Sequence, residues 1–163
     1  MIFVRTLLLS TFLFLAACGF KPLYSSQTTA KQSFNAVFID NIPDREGQYL
    51  RNALMDRLYN QGRPGTPQYN LNVSAIHQQR RDLDITKSSS ATRAQLQVNT
   101  TITLSDSKTG SILLKRDLRA LTSYNILQSQ FTTRVSEDDA QRSALDDLAR
   151  QIEQQLALHF NRN

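Results

Sequence analysis

The stretch Ala94-Gln-Leu-Gln-Val-Asn-Thr-Thr-Ile-Thr-Leu104 decides the fold, because it alternates for eleven residues without a break. Ala94, Leu96, Val98, Thr100, Ile102 and Leu104 fall on one side, and Gln95, Gln97, Asn99, Thr101 and Thr103 on the other. Successive side chains of a strand point to opposite faces, whereas a helix would repeat its apolar residues every three or four. The stretch therefore predicts a long strand with one face packed. Its other face is wet or covered by a polar partner.

Working outward, Asp106-Ser-Lys-Thr-Gly110 predicts a tight hairpin loop, with Gly110 free to take positive φ. A further strand runs from Ser111 to about Asn125, with Lys115-Arg-Asp117 in its middle. Upstream, Tyr69, Leu71, Val73 and Ala75 alternate with Asn70, Asn72 and Ser74, and Phe34 to Asp40 is rich in strand formers. Between those two strands, Leu50, Leu54 and Leu58 recur every four residues behind Asp44, a helix N-cap by type. The run Asn60-Gln-Gly-Arg-Pro-Gly-Thr-Pro67 ends that helix. His77 to Thr92 reads as a long connection closing on Lys87-Ser-Ser-Ser-Ala-Thr92. A closing helix is predicted from Ser136, with Asp139 in a capping-box-like position and a stripe of Leu145, Leu148, Ile152, Leu156 and Phe160.

The order β-α-β-β-β-α, with alternating strands and one stripe per helix, predicts an α+β two-layer sandwich. Four strands form a mostly antiparallel sheet, and both helices pack on one face. The opposite face is then rich in Gln, Asn and Thr.

The first 17 residues have a positive start, with Arg5, and an apolar run from Thr6 to Ala17. That run is shorter than the roughly 20 residues of a membrane-spanning helix and suits a secretory leader. It ends in Leu15-Ala-Ala-Cys18, where Cys18 is the only cysteine of the chain. The pattern is that of a bacterial lipoprotein: residues 1–17 are a cleaved signal peptide, and Cys18 carries a diacylglycerol and an N-acyl group. Residues 18–33 then form the lipidated N-terminus and tether, and residues 34–163 the folded domain. Two or more acyl chains anchor stably.

The whole chain carries a net charge of +5. Residues 18–136 hold 15 Lys and Arg against 8 Asp and Glu, and residues 137–163 hold 3 against 6. A basic body points to an anionic partner. For a secreted domain that means anionic lipid or glycolipid and not nucleic acid.

Signals of catalysis are absent. His77 and His159 have no partners at metal-ligand spacing, and there is no phosphate loop or nucleophile elbow. Asp82 with Asp84, and Asp146 with Asp147, read as solvated surface. No catalytic residue, metal or other cofactor is assigned. Among the basic residues, Arg80, Arg81, Lys87 and Arg93 lie in or beside the long connection. Lys115, Arg116 and Arg119 fall on the last strand, and Arg134 just before the closing helix. Arginine forks and a lysine suit phosphate groups.

The start Cys18-Gly-Phe-Lys-Pro-Leu-Tyr24 resembles the mature N-terminus of the LptE family, the lipopolysaccharide-assembly lipoproteins, in the form common among alphaproteobacteria. Asp44-Arg-Glu-Gly-Gln-Tyr-Leu-Arg-Asn-Ala-Leu54 is similar to that family's first helix. Thr92 to Leu96, Asp106 with Thr109-Gly110, and Ser123-Tyr-Asn125 resemble its strand and hairpin landmarks, and Asp139 to Phe160 its closing helix. The resemblance covers nearly the whole mature chain. It implies the two-layer βαβββα fold and a non-enzymatic role in lipopolysaccharide transport.

The partners it implies are lipopolysaccharide and the β-barrel LptD, which the protein would plug from within and help to assemble. Gly19 in place of aspartate after the cysteine agrees with sorting to the outer membrane, with the domain on the periplasmic side. Lys21 and Tyr24 would rest at headgroup level. Carried over by position, the family's basic lipid-binding residues fall at Lys87 and Arg93 before the third strand and at Arg134 before the closing helix. The alternative function is a scaffold lipoprotein of another envelope complex, such as barrel assembly. It shares the anchor, size and fold type but needs neither a barrel interior nor an anionic glycolipid.

Overall fold

The computed structural model describes residues 33–59, 62–85 and 91–162. The leader, Cys18, Lys21, Tyr24 and the run 86–90 with Lys87 lie outside the described residues. In order, the elements are β1 (Val37–Ile39), α1 (Asp44–Leu58), β2 (Tyr69–Val73), β3 (His77–Ile85), β4 (Ala91–Asp106), β5 (Ile112–Asn125) and α2 (Gln130–Arg162).

The expected α+β architecture is present: one mixed sheet, mostly antiparallel, with two helices. β1 pairs parallel with β2, while β4 pairs antiparallel with β2, β3 and β5. β4 is the spine. One of its edges is taken by β5 along nearly its whole length, and the other is shared end to end by β2 and β3. The four strands expected correspond to β1, β2, β4 and β5, and β3 is a fifth.

The break is a bulge. Val73 lies opposite Ile102 and His77 opposite Asn99, so residues 74–76 face only 100 and 101. Ser74 secures it. Its Oγ accepts from the Thr101 amide at 2.9 Å, and its carbonyl accepts from Thr100 Oγ1 at 3.0 Å. Thr100, the one polar residue among the buried positions described, thereby satisfies its hydroxyl.

The alternation of β4 holds as expected. Ala94, Leu96, Val98, Thr100, Ile102 and Leu104 are buried, and the intervening residues are half-buried. The buried side meets Leu50, Leu54 and Leu58 of α1 and Leu148, Ile152 and Leu156 of α2 in a single cluster. Both helices therefore cover the same face. Their cross-links rise together along both chains: Glu46 with Gln141, Tyr49 with Asp146, Arg57 with Glu153. The helices thus run side by side in the same direction. α1 also closes the edge of β1. Tyr59 donates to the Val37 carbonyl and accepts from the Ile39 amide, and Arg51 donates to the Ile39 carbonyl. Gly47 lets α1 sit tightly, since a Cβ there would lie 2.7 Å from Ile42.

Four local expectations need correction. The first strand is only Val37–Ile39, because Phe34 turns into the core against the Phe160 ring. Asp44 is not a side-chain cap: Pro43 occupies the N-cap position in extended backbone, and Asp44 takes φ 68 as the chain bends into the helix. The segment from His77 is not a connection through Thr92 but strand β3, bonded to β4 from residue 77 to residue 85.

Last, α2 begins at Gln130, six residues before Ser136. Thr133 Oγ1 accepts from the Leu127 amide at 2.9 Å, and the Thr133 amide donates to the Ser129 carbonyl, which fixes the first turn. Ser136 instead bonds back to the Thr132 carbonyl at 3.0 Å, as a serine within a helix does. The β4–β5 loop is as expected. Asp106 Oδ1 accepts from the Lys108 and Thr109 amides, and Gly110 takes φ 71.

Candidate functional site

Because opposed residues of an antiparallel pair share a face, the register fixes what the side away from the helices displays. β4 contributes Gln95, Gln97, Asn99, Thr101 and Thr103. Opposite them stand Arg81, Gln79 and His77 from β3, Asn72 from β2, and Ser123, Leu121, Arg119, Asp117 and Lys115 from β5. No described helix covers this surface. Its side chains already bond laterally: Thr101 Oγ1 donates to Asp117 at 2.6 Å, Gln97 to Asn99 at 3.2 Å. A shallow basin of about 600 Å³ between His77, Asn99, Asp117 and Arg119 lies beside the Ser74 bulge. Amides and hydroxyls in such rows offer donors and acceptors to a polar partner, with Arg81, Arg93, Lys115 and Arg119 adding positive charge.

At one end the sheet outruns its helices. On the helix-side face β3 presents Gln78, Arg80 and Asp82, all exposed, where β4 has Val98, Leu96 and Ala94. α2 likewise buries no residue before Ala140. These two projecting parts meet at Tyr124. Arg80 stacks over the Tyr124 ring, 5.8 Å from its centroid, and its Nε donates to Asp82 at 2.8 Å. That bond to Asp82 chiefly raises the Arg80 pKa. Burial foremost, then the Glu137 carboxylate of α2 beside it, pushes the Tyr124 hydroxyl above the ordinary tyrosine range. Arg80 is thus a structural clamp more than a free ligand for phosphate. The sequence offers Arg80 and Asp82 only as surface charges and Tyr124 only within the Ser123-Tyr-Asn125 landmark, and nothing in it joins them to Glu137.

Of the residues expected to bind lipid, Arg93 and Arg134 lie toward the same end but not on one surface. Arg93 is exposed on β4, opposite Leu83 and Asn125, on the side away from the helices. Arg134 is exposed within α2 and not in a connection before it, since the helix starts at Gln130. Lys87 falls in the run between β3 and β4, and Cys18 before residue 33, both outside the described residues. His77 is exposed at the start of β3, while His159 is half-buried against the Phe160 ring at 5.4 Å. Among the described residues no group of three or more His, Cys, Asp or Glu could hold a metal ion, and no helix is long and apolar enough to cross a membrane.

Residues 34–156 match the model of the family described as LptE, lipopolysaccharide-assembly. The chain belongs to the LptE family. That family is one of non-catalytic lipoproteins with a role in lipopolysaccharide assembly. A search of curated proteins found no match. Among solved structures, a Caulobacter crescentus protein superposes with a TM-score of 0.67 at 22% identity, covering 81% of this chain and 96% of that one. A minor lipoprotein from Acinetobacter baumannii gives 0.62 at 25% identity, covering 76% and 92%. Rare lipoprotein B from Shewanella oneidensis gives 0.58 at 12%, covering 75% and 92%. At 22% and 12% identity, the first and third speak for the fold alone.

Proposed function

We propose that this LptE-family chain is an outer-membrane lipoprotein, cleaved after residue 17 and acylated on Cys18, whose domain from residue 34 stands inside the barrel LptD and binds lipopolysaccharide on its way outward. The observation that carries this reading is the uncovered sheet face. It is a continuous field of Gln, Asn, Thr and basic side chains, half-buried along β4 and exposed on the strands beside it, and packed by no described helix. A barrel lumen is itself polar, so such a face gains hydrogen bonds there without burying apolar surface. Lys87, Arg93 and Arg134 meet the phosphates and carboxylates of lipid A and inner core. The exposure of Arg93 and Arg134 at the end where the sheet outruns its helices supports that assignment.

Purification from membranes in mild detergent tests the partner: a large LptD barrel is expected to travel with the chain. Recovery without one would refute the plug. Lys87→Glu with Arg134→Glu is expected to weaken lipopolysaccharide binding at least tenfold while the domain's melting is unchanged, since charge-assisted contacts contribute about 1.5–3 kcal/mol each. Full binding by the double variant would remove both residues from the site.

A further inference from the structure

At the opposite end of the molecule the charge is one-sided. Between β5 and the last turns of α2 lies a groove of about 480 Å³, lined by Leu113, Leu158, Arg116, His159 and Arg162 among others, and no carboxylate lines it. Apolar side chains stand open beside these cations: Ile112 is 64% exposed, Leu158 41% and Leu113 39%. Lys108 is exposed in the adjoining loop, whose Asp106 is occupied with the loop's own amides. Cations interleaved with exposed leucine and isoleucine match an anionic bilayer surface, which takes charge at the headgroups and apolar side chains just beneath.

The chain path says which surface that is. The first described residues lie at this same end, since Phe34 packs on Phe160 of α2 at 6.1 Å and Tyr69 on the same ring at 5.1 Å. Residues 18–32 join Cys18 to this point and can span at most about 50 Å. The tether therefore meets the bilayer from this end without being drawn out, whereas Arg134, about 39 Å along α2 from Phe160, comes to the same surface only with the tether nearly extended.

We infer that, in the acylated chain before any barrel encloses it, the face formed by Ile112, Leu113, Arg116, Leu158, His159 and Arg162 docks on an anionic phospholipid surface, seating the domain upright with its sheet-and-helix overhang pointing away from the membrane. This inference rests on the acylation of Cys18. It adds a second contact of different chemistry, one that fixes orientation where the lipid fixes only location.

The test uses the full chain, expressed with its own leader and extracted from membranes, carrying either Leu158→Cys or Phe131→Cys. Acylation of Cys18 leaves the introduced thiol as the one available to a bimane label. Labelled protein is reconstituted into vesicles of phosphatidylcholine with phosphatidylglycerol, or of phosphatidylcholine alone, each containing a headgroup nitroxide lipid. Quenching at position 158 is expected to exceed that at 131 on the order of fivefold in the anionic vesicles. Arg116→Glu with Arg162→Glu is expected to bring it down to the level in neutral vesicles, and the milder glutamine pair serves if the glutamate pair melts early. Equal quenching at 158 and 131 in protein that floats with the vesicles, or quenching that charge reversal leaves unchanged, would overturn the docking while sparing the anchor. Two labels per chain and no flotation would remove the anchor and the docking together.

Discussion

The two faces of β4 lie one residue apart along the same backbone, yet one is sealed and the other open. The even-numbered side from Ala94 to Leu104 is sealed under two helices. The odd-numbered side from Gln95 to Thr103 is left for something else. Stability is concentrated on the first, and the proposed recognition on the second. The difference teaches that a strand this regular holds two separable functions, and that substitutions can address one at a time.

The largest effect is expected from Ile102→Ala on the sealed side. Removing a fully buried branch should destabilise the domain by about 2–5 kcal/mol, read by urea unfolding. Thr100→Val tests the one polar position on that side. Losing its bond to the Ser74 carbonyl should cost about 1 kcal/mol, and a neutral or stabilising result would mean the bulge needs no hydroxyl.

Tyr124→Phe separates the two faces by pH. The Tyr124 pKa is raised on folding, so its contribution is fully present below the ordinary tyrosine value near 10 and is lost as pH rises through the folded value. The wild-type chain should lose stability in that alkaline range, and the Phe variant should lose less. Gln97→Ala, on the open side, is expected to change stability by no more than about 0.5 kcal/mol while weakening recovery of the LptD complex. If Gln97→Ala unfolded the domain as readily as Ile102→Ala, the division between the faces would be broken.

The parts of the fold governed by a single period were legible from the residues alone. β4 alternates, α1 and the later part of α2 carry apolar stripes, and the Asp106–Gly110 loop has turn chemistry, so each was placed within a few residues. β3 was illegible for a physical reason. The bulge at Ser74 reverses the alternation, and beyond it the strand outruns the helices. His77-Gln-Gln-Arg-Arg-Asp82 is therefore wet on both faces and shows no pattern to read. The start of α2 misled because Ser136 and Asp139 imitate a cap, while the turn is held by Thr133 reaching back to Leu127, a link with no fixed spacing rule behind it.

The site was less legible than the fold. Basic residues could be counted, but only the register reveals that Arg80 turns toward Tyr124 and Arg81 to the open face. Arg93 and Arg134, both expected to bind lipid, stand on different layers. Likewise the cationic end near Leu158 draws on β5 and α2, more than forty positions apart in the chain from Arg116 to Leu158, and only packing joins them.

The length of α2 has a consequence for any barrel that receives this domain. Thirty-three helical residues at 1.5 Å each make a rod of about 50 Å, and β4, at about 3.3 Å per residue, is just as long. The hydrocarbon layer of a bilayer is about 30 Å thick. Placed along the pore axis, the domain is therefore too tall for the membrane, and about 20 Å of it must stand in water on one side or the other. A plug of these proportions is also a protruding post, available to whatever delivers cargo from below or receives it above.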